Sequence, residues 1–209
     1  MPPTPSPEAT VFLVDDDVSF LTAIGRFLRA SGFAVRAFSS GSELLAWPEL
    51  DVPGCVLTDL QMPRLSGLDL QAALAQAGHA LPVIFLSGHG DIPSTVQAMR
   101  RGAEDFLTKR SPKEELLAAI QRALARDAQA RDERARQQAR QAPFATLTPR
   151  ELEVLAHVVQ GKLNKQIADD LGIHERTVKL HRTAITTKLG VHSTAELTRL
   201  WIEAGRGGG

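Results

Sequence analysis

Three aspartates in a row, Asp15, Asp16 and Asp17, follow the apolar run VFLV at residues 11–14. A fourth, Asp59, closes the run CVLTD, while Ser87 closes VIFLS and Lys109 closes DFLTK. An apolar run favours burial, whereas neighbouring carboxylates repel one another, so this much negative charge at the end of a buried strand calls for a positive partner. If Asp15, Asp16 and Asp59 meet, their oxygens suit a hard divalent cation. Mg2+ fits best, keeping several waters and taking a backbone carbonyl as a further ligand. Whether they meet depends on the elements that carry them.

Short apolar runs recur between residues 10 and 110: TVFLV, FAVRAF, CVLTDL, LPVIFLS and DFLTK. Segments with helical spacing lie between them, such as Val18, Leu21, Ile24 and Leu28, then Leu68, Leu70 and Leu74, then Ile92, Val96 and Met99. Alternation of this kind predicts βαβ units and a parallel sheet, and runs apolar on both faces suit strands covered on both sides by helices. The fold class is therefore α/β, a flavodoxin-like doubly wound sheet of five parallel strands over residues 10–125. In such a sheet, ligands bind beyond the carboxyl ends of the strands. Asp15, Asp16, Asp59, Ser87 and Lys109 all follow strand ends, so they converge on one edge.

A helix begins at SPKEELL, where Ser111 can cap, Pro112 suits the first turn and Glu114 and Glu115 face its positive end. Its apolar stripe, Leu116, Leu117, Ile120 and Leu124, stops at residue 124, yet good helix formers continue. Asp127–Arg131 and Asp132–Arg136 are well-oriented i,i+4 pairs. Residues 126–143 therefore read as a solvated helical linker ending near Pro143. A coiled coil is not supported, because no a/d apolar seam is present. Beyond the linker the strand pattern vanishes. Four short helices fit, about 149–160, 164–171, 175–189 and 193–203, with start signals at Thr148–Pro149 and Ser193 and glycines at 161, 172 and 190 where helices stop. Residues 144–205 are thus an all-α four-helix domain.

A chain of 209 residues accommodates one large domain or two small ones. Its formal charge is zero, but residues 1–125 carry 10 Lys+Arg against 14 Asp+Glu, whereas residues 126–143 and 144–209 are each +2. The mildly basic second half permits nucleic-acid binding without demanding it. Cys55 is the single cysteine, which excludes an internal disulfide and a Cys-rich metal site, and it reads as a small buried hydrophobe. MPPTPSPEA (residues 1–9) reads as a disordered Pro-rich tail rather than a signal peptide, and no run approaches a membrane span, so a cytoplasmic setting with no membrane partner is expected. His79 and His89 lack partners at metal-ligand spacing and read as loop histidines; Trp47 and Trp201 read as packing residues.

The segments VFLVDDD, VLTDLQMPRLSGLDL, VIFLSGHGD and RGAEDFLTK resemble, in order and spacing, the receiver domain of two-component response regulators. That resemblance implies that Asp59 accepts a phosphoryl group from a sensor histidine kinase. It also implies that Asp15 and Asp16 hold Mg2+ together with Asp59 and the main-chain carbonyl of Gln61. Lys109 would pair with the phosphoryl oxygens, Ser87 would hydrogen-bond to one of them, and Phe106 would be the aromatic that turns inward as Ser87 moves. The chemistry needs these types, since moving a phosphoryl group onto a carboxylate brings like charges together unless metal and lysine neutralise them. Two positions stand apart: Arg110 replaces the proline usual after the lysine, and Asp17 is an extra acid that reads as a helix N-terminal residue.

The second half resembles the LuxR-type DNA-binding domain of the NarL/FixJ class through LTPRELEVL, GKLNKQIA, LGI and TVKLH…KLGV. Two helices joined at LGIH have helix-turn-helix spacing. Val178, His181, Ile185 and Leu189 share a face that should meet Ile167, Ala168 and Leu171, leaving Lys179, Arg182, Thr183 and Thr186 on another. By the resemblance Lys179, Leu180 and Thr183 approach bases, while Lys165, Thr177, Arg182 and Lys188 hold phosphates. His174 stands where the family favours Ser or Thr as N-cap, a loss of about 1 kcal/mol that Glu175 in the first turn partly offsets.

The function expected is a two-component response regulator and sequence-specific transcription factor, a phosphoryl acceptor rather than an enzyme acting on an external substrate. Its expected partners are a sensor histidine kinase, double-stranded DNA bearing an inverted repeat, a second copy of the chain once phosphorylated, and RNA polymerase. In a dimer the recognition helices would sit one DNA turn, ~34 Å, apart. The alternatives are a regulator that binds DNA without phosphorylation and a Mg2+-dependent aspartyl-phosphate phosphatase. A phosphatase would need a substrate pocket and a dedicated acid/base, neither of which is evident.

Overall fold

The computed structural model describes residues 9–88 and 92–206, apart from the side chain of Ser94. His89 and all but the last residue of the expected tail lie outside that range. The chain divides into two compact units between Arg131 and Asp132.

The first unit alternates strand and helix: β1 (Thr10–Val14), α1 (Val18–Ala30), β2 (Ala34–Phe38), α2 (Gly41–Leu45), β3 (Gly54–Asp59), α3 (Gly67–Gln76), β4 (Val83–Ser87), α4 (Ile92–Arg100), β5 (Asp105–Thr108) and the start of α5 (Lys113–Gln141). All four strand pairings are parallel and the order is β2-β1-β3-β4-β5, the flavodoxin-like arrangement. The pleat sorts the apolar runs into two cores. Val11, Leu13, Cys55, Leu57, Ile84 and Leu86 join Leu21, Leu28 and Ile120 of α1 and α5. Phe12, Val14, Val56, Val83 and Phe85 join Leu44, Leu70, Leu74 and Ala98 on the other side. Cys55 is wholly buried, and burial pushes its thiol well above the ordinary cysteine range, so it is packing and not a nucleophile.

Turn chemistry fixes how helices leave the sheet. Asp17 caps α1, its carboxylate accepting from the Ser19 and Phe20 N–H groups at 2.9 and 3.1 Å, as its reading as a helix N-terminal acid requires. Ser66 and Asp69 form a capping box on α3. Gly67 begins that helix against the site-bearing strand: a Cβ there would lie 2.3 Å from the Asp59 carbonyl oxygen, so only glycine lets the backbones approach.

The solvated character expected of the 126–141 stretch is interrupted at Asp127 and, in part, at Arg131. Asp127 is 2% exposed. Its Oδ2 accepts from the Gly54 N–H at 2.9 Å and from Arg131 Nε at 2.8 Å, and Arg131 donates on to the carbonyls of Asp51 and Val52. The i,i+4 pair read as a surface feature is therefore a clasp between α5 and the chain entering β3. Asp132–Arg136, by contrast, is an exposed ion pair.

The second unit holds a 3-10 helix (Ala142–Thr146), α6 (Pro149–Val159), α7 (Asn164–Leu171), α8 (Glu175–Leu189) and α9 (Thr194–Glu203). α5 ends at Gln141, and Pro143 sits inside the 3-10 turn that follows. One core gathers Phe144, Val154, Leu155, Val158, Ile167, Val178, Ile185 and Leu197. Gly172 closes α7 with φ of +63°, the left-handed conformation that lets the chain turn into α8.

Removing the Asp127 carboxylate strands the buried Gly54 N–H and frees Arg131. Asp127→Ala should therefore lower the stability of the first unit by about 2 kcal/mol in urea unfolding, with the Gly54 amide exchanging much faster. Unchanged exchange at Gly54 would refute the clasp.

Candidate functional sites

At the carboxyl edge of the sheet the residues singled out come together from four strands. Asp15 and Asp16 follow β1, Asp59 ends β3, Ser87 ends β4 and Lys109 follows β5. Lys109 Nζ lies 2.6 Å from Asp15 Oδ2 and 2.9 Å from Asp59 Oδ2, and the three side chains are 19%, 1% and 11% exposed. One carboxylate oxygen from each of Asp15, Asp16 and Asp59 falls within 4.8 Å of the others; Asp16 is exposed and the other two are buried.

The electrostatics follow from this packing. Burial raises the Asp15 carboxyl above its ordinary range, partly offset by the Lys109 ammonium and the Asp17 N–H, which reaches Oδ1 at 2.9 Å. Burial works against the Lys109 charge, but its close contacts with the Asp15 and Asp59 carboxylates together outweigh it and raise its pKa above the usual lysine value. Three carboxylates and one ammonium leave a formal charge of −2, which a divalent cation balances. Among the described residues the donor set fits such an ion: all ligands are oxygen. Buried Asp15 Oδ2 makes no well-directed hydrogen bond despite its ion pair, so a lone pair remains for a metal. The Gln61 N–H donates to Asp59 Oδ1 at 3.3 Å, which holds the main chain of Gln61 beside the Asp59 carboxylate.

Ser87 is buried, and its carbonyl accepts from the Lys109 N–H at 2.8 Å. The loop after Lys109 closes without proline, through Ser111 N–H to the Thr108 carbonyl and a contact between their hydroxyls at 3.2 Å. Phe106 is half-buried against the core beneath α4, its ring 6.2 Å from that of Phe85. Two neighbours were not singled out by sequence. The Phe20 ring lies 4.5 Å from Lys109 Nζ, and Arg64, just beyond Gln61, holds a positive φ of 69°. Phe20 was concealed by its place in an ordinary amphipathic helix.

In the second unit, α7 and α8 form the helix-turn-helix. Val178 and Ile185 are buried against Ile167 and Ala168, while Lys179, Leu180 and Thr183 are exposed on the opposite side with Lys165 beyond them. His174 makes no capping bond with its side chain. Thr177 is half-buried in the first turn. Arg182 donates to Asn164 Oδ1 and Thr194 Oγ1 at 3.2 and 3.1 Å and lines a cleft of about 430 Å³ between α6, α7, α8 and α9. Lys188 binds both carboxylate oxygens of Glu151 at 2.9 and 2.7 Å, an internal engagement that sequence reasoning did not foresee. Glu151 also accepts from the Thr148 N–H, so it joins the start of α6 to the end of α8.

A parallel five-stranded sheet with this acidic edge, followed by a helix-turn-helix, defines a phosphorylation-type receiver joined to a DNA-reading domain. The sequence matches the response regulator receiver domain over residues 11–121 and the bacterial regulatory proteins of the luxR family over residues 145–201. The chain belongs to the response regulators of the NarL/FixJ class. It is 42% identical over 193 residues to the response regulator protein TmoT of Ectopseudomonas mendocina, covering 92% of this chain and 88% of that one. It is 40% identical over 199 residues to the transcriptional regulatory protein FixJ of Azorhizobium caulinodans, covering 93% and 92%. Among solved structures, the response regulator StyR superposes with a TM-score of 0.78 at 41% identity, covering 94% and 99%. Full-length FixJ from B. japonicum gives 0.56 at 34%, covering 94% and 97%.

The Lys188 hydrogen bonds hold the Glu151 carboxyl below the ordinary glutamate range. A depressed carboxylate stabilises the fold above its unfolded pKa, and that contribution is lost as pH falls through the folded value. Lys188→Met should accordingly destabilise the second unit at neutral pH. The difference from wild type should shrink once pH drops below the ordinary glutamate value and vanish below the depressed one. A gap independent of pH in thermal melts would contradict this.

Proposed function

We propose that Asp59 is the phosphoryl acceptor of this response regulator and that its phosphorylation controls self-association and DNA binding. The observation that carries the reading is the Lys109 ammonium held between Asp15 and Asp59 beside the exposed Asp16 carboxylate. An Asp59 oxygen attacks phosphorus as the N–P bond of a phosphohistidine on the sensor kinase breaks, the histidine nitrogen leaving with the bonding pair. Bound by Asp15, Asp16, Asp59 and the Gln61 carbonyl, Mg2+ supplies charge neutralisation for the incoming phosphoryl group. Lys109 moves from two carboxylates to the phosphoryl oxygens, and Ser87 at the neighbouring strand end donates its hydroxyl to one of them. That shift of Ser87 opens room for Phe106 to turn inward and re-shapes the face of α4 and β5.

The α4 face supports the second half of the reading. Ile92, Val96 and Met99 are 79%, 43% and 46% exposed at i, i+4 and i+7, an apolar stripe suited to a second copy of the chain. On DNA, Lys179, Leu180 and Thr183 read bases, while Lys165, Thr177 and Arg182 position on phosphates of an inverted repeat. Lys188 reaches phosphate only by sharing or leaving Glu151. RNA polymerase contact and a cytoplasmic setting belong to the same reading. So does the absence of turnover on external substrates: the chemistry stops at a covalent phosphoprotein and its own hydrolysis.

Acetyl phosphate with Mg2+ should label the wild-type chain, and both Asp59→Asn and chelation of the metal should abolish labelling. Undiminished labelling of the variant would assign the acceptor elsewhere. Beryllofluoride should raise operator affinity; equal affinity with and without it would favour a regulator that binds DNA without phosphorylation. On DNA, Lys179→Ala should cost about 1–3 kcal/mol and relax specificity, whereas Lys165→Ala should weaken all sequences alike and reduce the salt slope by about 1.

A further inference from the structure

We propose that Phe20 is a positioning residue for phosphoryl transfer: the face of its ring holds the Lys109 ammonium at the acceptor carboxylate. The proposal rests on the Asp59 reading above. Among the described residues, three groups lie close to Lys109 Nζ, which carries three protons. Two are the carboxylates of Asp15 and Asp59, at 2.6 and 2.9 Å, and the third is the Phe20 ring, 4.5 Å from Nζ to the centroid. The Lys109 side chain is only 19% exposed, so the ring covers a side that water would otherwise occupy.

That substitution of ring for water has a chemical consequence. The ring quadrupole attracts the cation yet offers no lone pair, so it holds the charge without claiming an N–H that the phosphoryl oxygens will need. A water in its place would accept one of those N–H bonds and screen the ammonium from the developing charge.

The ring is itself fixed by the acidic cluster. The Asp17 carboxylate accepts from the Phe20 N–H at 3.1 Å, and the Asp17 N–H donates to Asp15 Oδ1 at 2.9 Å. Behind, Phe20 packs on the core between the sheet and α1 and α5. Asp15, Asp17, Phe20 and Lys109 thus form a closed circuit of contacts. Asp17, which completes the run of three aspartates, places the first turn of α1 so that the ring faces the lysine.

The test separates ring face from bulk in the full-length protein. Phe20→Leu keeps apolar volume without a quadrupole, and Phe20→Tyr keeps the ring. In lysine-labelled protein without metal, the Lys109 ε-methylene resonance, assigned with Lys109→Arg, should show an upfield ring-current displacement in wild type and Phe20→Tyr and lose it in Phe20→Leu. With Mg2+ and acetyl phosphate, Phe20→Leu should be labelled about three- to tenfold more slowly, with Mg2+ affinity unchanged, and Phe20→Tyr within about twofold of wild type. Wild-type labelling in Phe20→Leu, equal losses in the two variants, or a displacement that survives the leucine would each overturn the proposal. The Asp59 reading fails separately, through labelling that persists in Asp59→Asn, and the proposal would fall with it.

Discussion

One ammonium shared by two buried carboxylates is the interaction on which the receiver depends. Asp15 and Asp59 sit at the ends of adjacent strands with little solvent to screen them, and without Lys109 their negative charges would face each other uncompensated. Removing one partner of such a buried arrangement leaves uncompensated charge, a penalty of about 3–5 kcal/mol. The sheet order makes the sharing possible. β4 separates β5 from β3, so Lys109 must reach across roughly 10 Å of strand spacing. A four-carbon stem ending in a compact charge closes that gap by meeting the Asp59 side chain part-way.

The same economy explains what the site leaves open. The lysine compensates one of three negative charges and leaves a formal −2, part of it on the solvent-exposed Asp16. A cluster acidic enough to suit a small divalent cation thus keeps an amine among its carboxylates. The helix-turn-helix unit handles charge in the opposite sense. It shows Lys165, Lys179 and Thr183 to solvent, while Arg182 and Lys188 are bonded to neighbours on other helices. Exposed and internally bonded cations thus share α8.

Most of the fold and the acidic edge was legible in the sequence because both rest on local patterns. Strand runs such as VFLV end in the residues they deliver, and a parallel sheet aligns those ends, so Asp15, Asp59, Ser87 and Lys109 could be placed together before any coordinates. What stayed hidden depends on contacts between distant segments. Asp127 and Arg131 have the spacing of a solvated helix pair, and only the loop before β3, more than seventy residues earlier, turns them into a clasp. Phe20 looks like any apolar residue of an amphipathic helix until Lys109 is seen over its ring. Lys188 reads as a phosphate ligand by its place in the recognition helix, and its carboxylate partner lies on α6.

The clasp at Asp127 bears on how such proteins are assembled by recombination. Two further turns of α5, past the last leucine of its stripe, are bonded to the receiver and belong to its architecture. A splice made at residue 125 would cut away a carboxylate that the sheet needs for its own Gly54 amide. A seam placed after Arg131 would keep the clasp within the receiver and leave the exposed helix beyond it with the second unit.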